Sequence, residues 1–464
     1  MRSAPRPHHT LRAPRLPPPP EHAFCLPRPR RFRLANGLPV LLLQRNELPL
    51  VHVSLVLYSG HALDPSDEPG VAFTTAALVD EGAGPRAALQ IASDLQALGT
   101  ALQISVDTES TTVAMDLLRE QLDPALGIVA DVLLRPHLDR AELQRVKAEI
   151  VSRGEHRRSD PSQVASLALS RAVFGRHPYA RPALPLPSSV AGLERRQVVR
   201  FHRQHYRPNN AILVVAGDVA RDELERMLVR RLSAWRGASL PRPPASRDRH
   251  RAPRLVLVDR PGSSETVLRV GHRLPARRQL DPPTVQLLNT ILGGSFTSRL
   301  NANLRERNGF TYGASSFCTM MRQQGMLIAA AQVDREATVP ALHEMLRELQ
   351  GLTRRKVGRR ELDKARALLL EELPSSAETL AGLADGYIEL ALYREPMDSL
   401  NQLPERLARV TSDDLLDLAR RLLLPEAATL VVVGDVASIG PRLEQIYGPA
   451  RLRDLDGLSM DDPV

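Results

Sequence analysis

The stretch LRERNGFTYGASS, residues 304–316, sets Arg305 and Tyr312 seven positions apart around Gly309. Guanidinium and phenol are both hydrogen-bond donors. Brought together, they can hold a peptide carbonyl, or the oxyanion that forms when that carbonyl is attacked. An arginine favoured by a helix C-terminus and a tyrosine with an ordinary surface hydrogen bond would show the same spacing. The elements around the pair decide what it can reach. NTILGG ends a helix at Gly293-Gly294, and a second helix follows with Ser295 or Thr297 as candidate caps and Leu300 and Leu304 toward the core. Asn308-Gly309 stops that helix and FTYGASSF begins a strand. Arg305 is therefore expected in a last helical turn and Tyr312 in the next strand, with both tips at one sheet edge. Gly293-Gly294 is no phosphate loop, because no Gly-Lys-Ser/Thr follows.

The chain carries an internal repeat. YRPNNAILVVAGDV (206–219) is echoed by LLPEAATLVVVGDV (423–436), with Pro208 and Pro425, Gly217 and Gly434, and Asp218 and Asp435 each 217 residues apart. Each copy reads as a turn, a buried strand and a Gly-Asp stop, and the constant offset argues for duplicated domains. Both halves open on two strands, 37–60 and 253–274, and continue into helical patterns such as PALGIVADVLLR and VQLLNTILGG. Strands, helices and strands again within each half imply an α+β fold: two homologous domains, each a mainly antiparallel sheet with helices packed on it. The expected organisation is a disordered Pro/Arg-rich extension over 1–31, a first domain over 32–235, a linker over 236–253, a second domain over 254–450 and a flexible tail over 451–464.

Composition narrows the function classes. The net charge of +9 is concentrated at the start: residues 1–36 hold eight arginines and one acid, a net +7, which leaves about +2 for the remaining 428 residues. A nucleic-acid binder needs a basic face on its folded body, and the charge count gives no sign of one. The apolar runs AILVVAG and TLVVVG fall far short of the roughly 20 residues of a membrane helix, so no transmembrane segment is expected. Cys25 and Cys318 cannot build a disulfide framework. The repeated prolines of the extension and its lack of an apolar core fit neither a transit peptide nor a secretory signal. Location therefore stays open.

LGGSFTSRLNANLRERNGFTYGASS resembles the second-domain signature of the pitrilysin/insulinase (M16) family of zinc peptidases, which includes the mitochondrial processing peptidases. LANGLPVLLLQRNELPLVHVSLVLYSGHALDP resembles that family's opening strands, RPNNAILVVAGDV the end of its first domain, and the likeness extends over roughly 32–450. The resemblance implies two LuxS/metallohydrolase-like domains that face a partner and enclose a chamber for extended peptides. It also implies that Arg305 and Tyr312 contact substrate near a metal held on another domain.

Active members carry His-x-x-Glu-His on a first-domain helix. Two histidines four apart share a helix face and bind zinc, and the glutamate activates the bound water. GVAFTTAALVDEG (70–82) stands in that place, with Phe73 and Ala77 at the ligand positions and Ala76 at the general base. The family's usual separation, about 76 residues, reaches Arg153 for the third ligand, with Glu149 and Glu155 nearby. No other cluster replaces the metal site. His202 and His205 lack a third ligand, His8-His9 lie in the extension, His156 beside Glu155 reads as a solvated face, and Asp80-Glu81 have neither metal nor nucleophile. The expectation is a chain inactive alone and without its own cofactor. It would bind extended peptide through Arg305 and Tyr312 beside the zinc of a His-x-x-Glu-His partner subunit. A structural or peptide-binding relative without a peptidase role is the alternative.

Overall fold

The structure, a computed structural model, describes residues 25–241 and 252–460. The first sheet is built from β1 (Arg30–Arg33), β2 (Pro39–Gln44), β3 (Leu50–Leu57), β4 (Gln103–Val106), β5 (Thr111–Leu118) and β6 (Ala211–Gly217). The second uses β7 (Leu255–Asp259), β8 (Glu265–Leu274), β9 (Ala314–Met320), β10 (Gly325–Asp334), β11 (Thr429–Gly434) and β12 (Ala450–Arg453). Their orders, β1-β2-β6-β3-β5-β4 and β12-β7-β11-β8-β10-β9, place the two repeated strands, β6 and β11, third in each sheet. Pairing is mainly antiparallel, with β2–β6, β7–β11 and β7–β12 parallel. The α+β reading holds.

The repeat's glycine has a steric reason. Gly217 has φ +132°, and a Cβ there would lie 2.2 Å from the Leu50 carbonyl oxygen. A side chain cannot be accommodated where β6 turns away beside β3.

Period-2 alternation makes both faces of each sheet apolar. In the first sheet, Val40, Leu42, Val53, Leu55, Val113 and Val215 face helices from the same half, Leu122–Leu134, Arg140–Ser159, Arg195–His205 and Arg221–Leu232. The opposite face, with Leu41, Leu43, Val56, Ile212 and Val214, is covered by Leu383, Ala384, Tyr387 and Leu390 of helix Leu380–Tyr393, which belongs to the second half. The exchange is reciprocal. Helix Pro161–Phe174 of the first half puts Val164, Ala168, Leu169 and Val173 against Val256, Val258, Val267, Val431 and Val433 of the second sheet. Each half therefore supplies one helix to the other's core.

Two expected bounds move. Residues 25–31 were expected to be disordered, yet Leu26 is buried; its N–H donates to Asn401 Oδ1 (2.7 Å), the Tyr387 hydroxyl donates to the Pro27 carbonyl (2.8 Å), and β1 starts at Arg30. Apolar contact with the second half orders them. The tail expected to be flexible from 451 instead continues β12 beside β7 and buries Asp456 against Arg157 and Arg158 of the first half. Of the expected linker, 242–251 lies outside the described residues, as do 1–24 and 461–464.

Candidate functional site

The segment that carries Arg305 leaves helix Pro282–Leu292 at Gly293 and passes through a loop with Phe296 into a wide π turn, Asn301–Arg307. No side chain caps this turn, contrary to the expectation for Ser295 and Thr297; Ser295 Oγ donates to the Thr290 carbonyl instead. The turn is held through Asn303. Asn303 Nδ2 donates to Glu344 Oε2 (2.7 Å) and Glu348 Oε1 (2.6 Å), and Asn308 Nδ2 donates back to Asn303 Oδ1 (2.6 Å). Gly309, at φ +63°, reverses the chain, and the Phe310 N–H closes on the Leu304 carbonyl at 2.8 Å. π turns of this kind recur at functional sites because one extra residue re-aims the side chains that follow.

Tyr312 lies just before β9, not within a strand as expected, because pairing with β10 begins only at Ala314. The loop itself is pinned. Thr311 Oγ1 donates to the Gln332 carbonyl (2.6 Å), and Asn301 Oδ1 accepts the Ala314 N–H (2.9 Å). The Tyr312 side chain is 97% exposed. Arg305 is partly shielded: its guanidinium sits 4.5 Å from the Phe296 ring centroid, and its Nε is 3.3 Å from Glu306 Oε1. Phe296 is itself 66% exposed. Among the described residues no hydrogen bond joins Arg305 to Tyr312. The arrangement is two donors and an aromatic platform, open to solvent on a braced loop. Phe296 was missed in the sequence because a loop phenylalanine nine residues before an arginine has no periodic signal.

The residues that the sequence aligns with the metal motif lie on two neighbouring helices, Val71–Ala76 with its C-cap Ala77 and Arg140–Ser159. Asp64 accepts the N–H groups of Gly70 (2.7 Å) and Ala72 (2.9 Å), fixing the start of helix Val71–Ala76; burial nevertheless raises its pKa to about 6. Phe73 and Ala77 are half-buried and share one face, and Ala76 is buried. Arg153, on helix Arg140–Ser159, stacks on Phe73 with 5.5 Å from guanidinium carbon to ring centroid. Glu149 flanks it, with Oε1 3.9 Å from Arg153 Nη1. These four side chains do not fit a zinc ion: a phenyl ring and two methyl groups have no lone pair to offer, and a guanidinium repels a cation.

The nearby acids are engaged otherwise. Arg145 pairs with Glu81, Glu142 and Glu149, and burial pushes Asp80 up to about 6. Among the described residues no three His, Cys, Asp or Glu side chains converge as a metal-binding group. His202 Nε2 lies 3.0 Å from the Leu133 carbonyl oxygen, while His205 stacks on Phe201; both are pushed down to about 4 by burial. His156 is exposed, and His8-His9 fall outside the described residues.

The model of the insulinase family, peptidase family M16, matches residues 40–185, and the model described as the peptidase M16 inactive domain matches 192–369. An uncharacterized zinc protease of Mycobacterium tuberculosis is 29% identical over 440 residues, which span 90% of this chain and 97% of that protein. A non-peptidase homologue from Helicobacter pylori is 22% identical over 349 residues, 74% of this chain and 79% of the relative. The crystal structure of a peptidase M16 inactive domain from Pseudomonas fluorescens superposes with a TM-score of 0.79 at 24% identity, covering 88% of this chain and 98% of that one. A protease structure from Helicobacter pylori gives 0.82 at 18% identity, over 88% and 100%. Matched over both halves by the family's two domain models, the chain belongs to the M16 peptidase family.

Proposed function

We propose that this chain is a non-catalytic M16 subunit that binds extended peptide and presents Arg305 and Tyr312 to the active site of a zinc-bearing partner. The observation that carries the reading is a contrast within one molecule. Arg153 stacks on Phe73, at two positions that the sequence aligns with the family's metal motif, while Tyr312 stands 97% exposed on a loop braced by Thr311 and Asn301. A tyrosine so exposed is open to a partner or substrate. In this reading the metal and the attacking water belong to the partner. Arg305, propped on Phe296, and Tyr312 hold the peptide and donate to the carbonyl as it gains charge. Substrate adds as a strand to a sheet edge. The test is hydrolysis of a quenched fluorescent peptide by this chain mixed with a His-x-x-Glu-His subunit, comparing wild type with Arg305→Ala and Tyr312→Phe.

The Helicobacter pylori relative named a non-peptidase homologue favours a second reading, a binding protein with no part in proteolysis. Under it both substitutions leave peptide hydrolysis in every mixture unchanged.

A further inference from the structure

Two clefts open side by side among the helices of the first half. The larger, about 640 Å³, runs between Leu122–Leu134, Arg195–His205 and Arg221–Leu232. Six arginines line it, Arg135, Arg195, Arg203, Arg207, Arg231 and Arg236, against one acid, Asp131. The smaller, about 480 Å³, shares Arg195 and Arg203 and adds Arg140, Arg196 and Arg200 with no acid at all. The charge count over the whole body had given no sign of a basic face. Folding gathers one from arginines scattered between 135 and 236.

Carboxylates neutralise part of this charge. Asp131 pairs with Arg135, Asp123 with Arg231, Glu194 with Arg196 and Glu68 with Arg200. Arg140, Arg195, Arg203, Arg207 and Arg236 have no carboxylate partner among the described residues. Two of these are held in place without losing charge. Arg195 donates from Nε to the Leu138 carbonyl (2.6 Å) and from Nη2 to the His137 carbonyl (3.1 Å). Arg207 donates from Nε to the Arg203 carbonyl (2.7 Å) and from Nη1 to the Arg236 carbonyl (3.3 Å). A guanidinium has five N–H groups, so each retains donors for a ligand. Arg203 lies on the same helix as Arg200, three residues after it, and carries no such carboxylate among the described residues.

The walls limit what that anion can be. Trp235 and Tyr206 line the larger cleft but are only 3% and 2% exposed, so neither ring is free to stack on a base. Guanidinium forks match phosphate oxygens in geometry and charge. We propose that the two clefts form a binding site for a compact, multiply charged phosphate anion. The site is independent of Arg305, Tyr312 and the peptidase reading.

The test titrates inorganic tripolyphosphate into the full chain by calorimetry at physiological ionic strength. A second arm uses sedimentation with phosphatidylcholine vesicles carrying phosphatidylinositol phosphate. The variants are Arg203→Gln and Arg140→Gln, whose side chains hold no other part of the fold, and then Arg195→Gln, each checked by circular dichroism. Saturable binding that falls at least about tenfold in Arg203→Gln, the effect of losing one charge-assisted hydrogen bond, supports the site. Loss confined to tripolyphosphate assigns a soluble anion, and loss confined to vesicles assigns a lipid headgroup. Binding of neither probe, or binding unchanged in the variants, overturns the proposal.

Discussion

The Arg153 guanidinium stands 5.5 Å from the centroid of the Phe73 ring, a cation–π pair at two of the positions that the sequence aligns with the family's metal motif. The relationship is across elements: Phe73 is on helix Val71–Ala76 and Arg153 on helix Arg140–Ser159. The two helices hold these side chains against each other, and neither a phenyl ring nor a guanidinium can ligate a metal cation.

Ligands can be put back at these positions. Phe73→His with Ala77→His places two imidazoles four apart on one face, and Arg153→Glu replaces the opposing cation with a carboxylate. The triple variant is expected to take up one zinc per chain and to gain about 2.7 kcal/mol of stability at a hundredfold excess over its dissociation constant. Calorimetric titration and zinc-dependent melting check this. A folded variant with no zinc uptake would show that the three positions do not converge on one point.

Single substitutions at the stacked pair should be mild. Arg153 is 55% exposed in its side chain, so Arg153→Ala is expected to cost no more than about 1 kcal/mol. Urea denaturation measures it. A much larger loss would mean that Arg153 bears structural load beyond the ring.

The C-terminal residues act as a clasp between the halves. Asp456 accepts from Arg157 Nη2 (3.0 Å) and Arg158 Nη2 (2.5 Å), and Arg157 is 5% exposed in its side chain. Asp456→Ala strands a buried guanidinium and should cost about 3–5 kcal/mol. Burial alone would raise the Asp456 pKa, but the hydrogen bonds and charges of Arg158 and Arg157 hold it below the usual carboxylate range. Its contribution is therefore present above the ordinary carboxylate pKa and is lost as pH falls through the lower folded value. Denaturation of the variant against wild type at neutral pH is the check, and equal midpoints would remove the clasp.

Mild acid should weaken the fold. Burial lowers His61, His202, His205 and His272 to about 4, so each is neutral when folded and protonated when unfolded between about pH 6.5 and 4. Burial raises Asp64 and Asp80 to about 6, which works the other way over about 3.8 to 6. Four extra protons on the unfolded chain against two on the folded chain leave a net of two, so stability falls as pH drops through this window. Melting temperature from pH 7 to 4.5 is expected to decline steadily. A flat profile would contradict the buried, neutral state of these histidines.

Much of this architecture is legible in the sequence because it rests on local periodicity. The 217-residue offset between Gly217 and Gly434 locates the two equivalent strands, and Gly309 marks the reversal between Arg305 and Tyr312. What stays hidden depends on tertiary contact. Val164, Ala168 and Leu169 would suit the first sheet as well as the second, so nothing local shows the helix exchange. RLRDLDG at 451–457 reads as solvated because its partners, Arg157 and Arg158, lie almost 300 residues away. The basic clefts are hidden for the same reason: Arg135, Arg195 and Arg236 become neighbours only in the fold.

The substitutions Arg305→Ala and Tyr312→Phe separate function from folding. Tyr312 touches so little that its change should move stability by less than about 0.5 kcal/mol, and Arg305→Ala forfeits only a contact worth about 0.5–1 kcal/mol. Loss of a donor to the reacting carbonyl costs on the order of a hundredfold or more in turnover. Unchanged turnover in an intact complex would remove the pair from the active site.

The most direct measurement is peptide hydrolysis with added zinc by this chain alone, by a His-x-x-Glu-His M16 subunit alone, and by the two together. The account predicts no turnover from this chain alone, and turnover in the mixture well above that of the partner alone. Chelator-sensitive hydrolysis by this chain alone, or a mixture no faster than the partner, would contradict it.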